Sequence, residues 1–183
     1  MKKIPIILLA ITILIYADEV KYYKVQYGGN IGFVSVGFGK EVIKDHLSID
    51  LSYGYVPPLN TSKEIHCLTA KVLFYPLKIK LLNNKYSLIP LMLGEFINHP
   101  IGKQYKIIWV SKYPVNYYKP TGIYTSSILA FGVIKNSRIL KEKKTLVYTE
   151  LGIPNAYLNS LFIKKDIEFH EVITLGVGVV YNL

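Results

Sequence analysis

The chain has 183 residues, 51% of them hydrophobic, with 22 Lys and Arg against 12 Asp and Glu, for a formal charge of +10. Arg138 is the single arginine and the lysines are distributed along the chain, which excludes the arginine-rich clamp of a nucleic-acid binder. Cys67 has no partner thiol, and His46, His66, His99 and His170 lack metal-ligand spacing, so no disulfide, metal site or cofactor is expected.

The chain opens with Met1-Lys2-Lys3, an apolar run from Ile4 to Tyr16, and then Ala17-Asp18-Glu19. Charged, apolar and small-residue regions in that order are those of a secretory signal peptide, with cleavage after Ala17. The apolar run is well short of the roughly 20 residues that a helix needs to cross a bilayer. The absence of a cysteine near the site argues against a lipid-anchored protein. Residues 1–17 are therefore expected to be a leader and residues 18–183 one domain.

Beyond the leader the apolar residues are ordered by alternation. Strands are expected at Val20–Gly28, Ile31–Glu41, Leu47–Val56, Ile65–Tyr75, Tyr86–Phe96, Gly122–Lys135 and Thr145–Ile153, with a final one from Asp166 to Leu183. In the third, Leu47, Ile49, Leu51, Tyr53 and Tyr55 share one face, and Ser48, Asp50, Ser52 and Gly54 the other. In the last, Leu175, Val177, Val179 and Tyr181 alternate with Gly176, Gly178 and Asn182. Short links at Val42–His46 and Asn136–Lys144 contrast with longer ones at Pro57–Glu64, Ile97–Thr121 and Pro154–Lys165. Leu77–Leu82 can extend the fourth strand into a hairpin around Asn83-Asn84.

This pattern implies an all-β fold, an antiparallel transmembrane β-barrel of eight strands, with short periplasmic turns and long external loops. A bilayer core leaves no water for an unpaired backbone group, so a spanning sheet must close on itself. Eight strands give a lumen that side chains fill, and Asp50, Lys71, Glu95, Glu150, Glu168 and His170 are expected inside it. Sixteen tyrosines against seven phenylalanines suit aromatic girdles at the membrane surfaces. The alternative is a soluble sandwich or lipocalin-like barrel with the same alternation.

The terminal Gly178-Val179-Val180-Tyr181-Asn182-Leu183 resembles the C-terminal assembly signal of Gram-negative outer-membrane proteins, with Leu183 where phenylalanine is common. Gly32-Phe33-Val34-Ser35-Val36-Gly37-Phe38-Gly39 resembles the glycine-rich early strand of small barrels, where glycine permits tight curvature. The resemblance implies Sec-dependent export to the cell outer membrane, with the barrel assembly machinery and outer-membrane lipids, including lipopolysaccharide, as partners. Lysines at the periphery would meet the phosphates of such lipids through attraction that weakens with salt.

No catalytic signature stands out. His46 and Ser48 have the His-x-Ser spacing of outer-membrane lipid A deacylases, which they resemble in that alone, since Ile49-Asp50 replaces that family's Asn-Ala. His170 and Glu150, with Ser126 or Ser127 as nucleophile, are candidates for acyl transfer, but an interior hydrogen-bond network is the preferred reading of these side chains. The segment His99–Thr121 interleaves Trp109, Tyr113, Tyr117 and Tyr118 with lysines such as Lys112, a composition suited to a glycan or lipopolysaccharide surface. The expected function is a structural or surface-binding outer-membrane barrel without catalysis. The alternatives are an acyl hydrolase acting on lipid A or phospholipid, and a soluble periplasmic lipid-binding barrel.

Overall fold

A computed structural model describes residues 20–58, 64–82, 85–101, 122–136, 143–158 and 168–182. It contains β1 Tyr22–Gly28, β2 Val34–Ile43, β3 Leu47–Val56, β4 Ile65–Phe74, β5 Ile79–Leu81, β6 Tyr86–Ile101, β7 Tyr124–Asn136, β8 Lys144–Pro154 and β9 Thr174–Asn182. Neighbours pair antiparallel in the order β4-β3-β2-β1-β9-β8-β7-β6, and β4 pairs with β6 to close the ring. Val25 of β1 lies between Val36 of β2 and Val179 of β9, so the first and last strands are sealed together. The barrel has eight strands. β5 continues β4 after a break at Tyr75–Lys78, pairing Ile79 with Leu88 in the register that set Phe74 against Leu93. β5 and the start of β6 pair as the two arms of the expected hairpin, with the Lys85 N–H donating to the Leu82 carbonyl at 3.0 Å; Asn83 and Asn84 lie outside the described residues.

One end of the barrel, the terminal end, holds the start of β1, the finish of β9 and the connections after β2, β4 and β7. The opposite loop end holds the connections after β1, β3, β6 and β8. The two longest, between β6 and β7 and between β8 and β9, are both there. That asymmetry is the one expected of periplasmic turns and external loops.

Alternation sorts the side chains as the sequence requires. On β9, Leu175, Val177, Val179 and Tyr181 are 62%, 47%, 42% and 39% exposed, whereas Gly176 and Gly178 are buried. Tyr23, Val25 and Tyr27 of β1, and Leu129, Phe131 and Val133 of β7, join them in an apolar outer belt. Polar residues occupy the lumen, among them Lys24, Gln26, Asp50, Lys71 and Glu150. The cavity of a lipid carrier would need the apolar stripe inside. It is outside.

Three expectations are corrected. Glu95 faces outward because β6 carries a bulge between Ile89 and Met92, where Pro90 lacks a donor and one extra residue inverts the parity of everything beyond it. Glu168 and His170 do not enter the lumen. They belong to an exposed helical turn, Phe169–Val172, started by a capping box in which Glu168 and Glu171 each bond the other's backbone N–H, so the final strand begins only at Thr174. Ile31 is no strand residue either. The link from Gly29 to Phe33 turns into the lumen and buries Ile31 completely. Gly28 and Gly29 supply the left-handed φ values of 74° and 77° that this reversal needs, and the Gly28 N–H donates to the Phe33 carbonyl at 3.0 Å. A Cβ at Gly54 would lie 1.8 Å from the Ile31 carbonyl oxygen, so only glycine leaves room for the inserted turn.

Candidate functional site: the filled lumen

The centre of the lumen is a fixed polar network contributed by β1, β3, β4 and β8. The Lys71 ammonium donates to Glu150 Oε2 at 2.6 Å and to Gln26 Oε1 at 3.3 Å. Gln26 Nε2 donates to Glu150 Oε1 at 2.6 Å, and the Tyr148 hydroxyl donates to Gln26 Oε1 at 2.7 Å. Beside this group Lys24 is ion-paired with Asp50, which also accepts from Ser52 at 3.4 Å. Lys71 is fully enclosed, 6.0 Å from the ring centres of both Phe96 and Tyr148. Two cations meet two carboxylates, so the network is neutral and each ion has a partner. That is the condition under which buried charge is tolerated.

Apolar and aromatic layers enclose the network. Toward the terminal end lie Leu73, Tyr75, Ile89, Met92 and Ile134, and toward the loop end Ile31, Phe96 and Ile128. The Tyr148 ring crosses the lumen over Gly178, where a Cβ would come within 2.4 Å of it. A cavity of about 570 Å³ opens at the loop end, lined by Asn30, Phe33, Cys67, Asn98, Tyr124 and Ser126 among others.

The catalytic candidates are not assembled. Ser126 Oγ accepts from Asn30 Nδ2 at 3.3 Å, Glu150 is engaged by Lys71 and Gln26, and His170 Nδ1 lies 3.1 Å from Glu168 in the exposed turn. None of these hydrogen bonds or ion pairs joins two of the three. Ser48 is buried and bonded to the Tyr75 hydroxyl, while His46 Nδ1 is 3.1 Å from the Tyr75 carbonyl oxygen, so that pair is likewise divided. Trp109, Lys112, Tyr113, Tyr117 and Tyr118 lie outside the described residues.

Sequence reasoning named Asp50, Lys71 and Glu150 for the interior but missed Lys24 and Gln26. Their signal was the alternation Tyr23, Val25, Tyr27 against Tyr22, Lys24, Gln26 in β1. It also missed an outward polar group, in which Ser127 bonds Glu95 Oε1 and Asn155 Nδ2 donates to Glu95 Oε2 at 3.0 Å. Outside the strands, Lys78 bonds Asp45 in the β2–β3 turn and holds its carboxyl below the usual aspartate value.

A closed antiparallel barrel with an apolar exterior and a charged, side-chain-filled lumen is a transmembrane β-barrel, because only a hydrocarbon surround favours that inversion of a soluble protein's pattern. No family model and no curated protein matches the chain. Among solved structures it is similar to the Yersinia pestis outer membrane protein Ail in a phospholipid bilayer nanodisc. The identity is 13%, the match covers 90% of this chain and 100% of that one, and the TM-score is 0.39.

Proposed function

We propose that this is an outer-membrane β-barrel protein of a Gram-negative envelope with a structural or surface-binding role and no catalytic activity. The single observation that carries the reading is the outward apolar belt around a lumen filled by the Lys71–Glu150–Gln26 network. On this reading residues 1–17 direct Sec export, the assembly machinery reads the C-terminal strand, and the barrel is an anchor. Surface binding then falls to the loop segment that holds Trp109, Lys112, Tyr113, Tyr117 and Tyr118, with lipopolysaccharide as ligand. Rings stack on sugars, and the ammonium meets phosphate.

Cell fractionation tests the proposal. The chain is expected in the outer-membrane fraction, with gel mobility that changes on boiling as the closed barrel opens. Recovery in the soluble periplasmic fraction would overturn it. For the surface role, Trp109 fluorescence is expected to respond to lipopolysaccharide in the native chain and to lose that response's affinity in Lys112→Ala. Absence of any response would remove the ligand.

A further inference from the structure

Among the described residues, the lysines outside the lumen stand at one end of the barrel. The described residues contain eleven lysines, and Lys24 and Lys71 are consumed in the lumen by Asp50 and Glu150. The other nine all lie at the terminal end. Lys44 is in the β2–β3 turn, and Lys78, Lys80 and Lys85 belong to the segment leading from β4 through β5 to β6. Lys135, Lys143 and Lys144 flank the link between β7 and β8. Lys21 and Lys40 stand beside the start of β1, where the Lys21 N–H donates to Gly39 at 3.0 Å. The described carboxylates at this end are Glu41 and Asp45, and Lys78 already holds Asp45.

We infer that this lysine ring binds the headgroups of anionic glycerophospholipids in the leaflet around the terminal end. The inference rests on the membrane-spanning reading and adds which lipid, at which end. The ring borders the apolar belt, where Tyr181, Phe74, Ile79 and Leu81 are exposed. Two of its members are placed against aromatic side chains: Lys143 Nζ lies 5.6 Å from the centre of the Tyr181 ring and Lys85 Nζ 5.6 Å from that of Tyr86. A lysine rooted beside apolar surface keeps its stem in the acyl boundary and its ammonium among phosphates. Loop lengths place this end in the periplasm, so the leaflet it meets is the inner one, of phospholipid, rather than the lipopolysaccharide leaflet.

The test is urea unfolding of the purified chain in vesicles of phosphatidylcholine alone and of phosphatidylcholine with phosphatidylglycerol. The unfolding midpoint is expected to be higher with phosphatidylglycerol at low salt, and the difference to shrink at high salt. A combined Lys44→Gln, Lys80→Gln, Lys85→Gln, Lys135→Gln variant is expected to keep its midpoint in phosphatidylcholine and lose the phosphatidylglycerol increment, while the matching arginine variant keeps both. Equal midpoints for the native chain in the two vesicles, or an increment that survives the glutamine variant, would overturn the lysine ring and leave the barrel standing. Failure of the native chain to insert into either vesicle would overturn the membrane reading itself, and the ring with it.

Discussion

Lys71 has no route to water, so its charge is tolerable only while Glu150 and Gln26 accept from it. Lys71→Met leaves the Glu150 carboxylate buried with one donor gone, and the expected loss of folding stability is about 3–5 kcal/mol. The double variant Lys71→Met, Glu150→Leu removes both charges and is expected to recover most of that loss, a coupling read directly from urea midpoints of the four proteins in one type of bilayer. At the turn after β2 a different pair titrates. Lys78 holds the Asp45 carboxyl below its ordinary value of 3.8, so the contribution of this pair is fully present above that pH and is lost as pH falls through the lower folded-state value. Asp45 is partly exposed and solvent screens the pair, so the effect is small. Lys78→Met is expected to flatten the acid side of the stability profile without changing it near neutrality, and a profile with an unaltered acid limb would show that the pair contributes nothing.

Strands whose alternation is unbroken were legible in the sequence, and β9 is the plainest. From Leu175 to Tyr181 every second residue is apolar and outward, while Gly178 between them admits the Tyr148 ring and Gly176 leaves room for Gln26 and Glu150. Val179→Lys places a charge on that lipid-facing stripe and is expected to cost about 2–4 kcal/mol if the position lies near the bilayer midplane. Val180→Lys, on the opposite parity, enters the lumen and tests packing instead, so only Val179→Lys is expected to lose more stability as bilayer thickness increases. β6 was legible only as far as Ile89. Pro90 was the available sign of the bulge and went unread, so the parity was carried past it and Glu95 was assigned to the wrong face. The segment before β9 misled for the opposite reason. Its parity continued across Glu168 and His170 by coincidence, while the Glu168-x-x-Glu171 spacing that makes a capping box went unused. The inserted Ile31 turn was not readable, because glycines announce a reversal without saying that it folds inward.

Taken as a whole the barrel inverts the usual distribution, with ion pairs at its centre and leucine, valine and tyrosine on its surface. Its candidate catalytic groups were recognisable by type but are parted by topology: Ser126 faces Asn30 near the loop end, Glu150 belongs to the central network, and His170 lies outside the barrel wall. Chemical identity was legible, and convergence was not, since convergence depends on register and on where a strand begins. The arrangement accounts for a lumen that stays shut at its centre.

The measurement that bears most directly on this account is the depth and sidedness of β9. Tryptophan is introduced as Val179→Trp or Val180→Trp in a Trp109→Phe background, and each protein is reconstituted with brominated phospholipids that quench on contact. The outward-belt assignment predicts strong acyl-chain quenching for Val179→Trp and little for Val180→Trp. Equal or reversed quenching would contradict the barrel as a membrane-spanning structure.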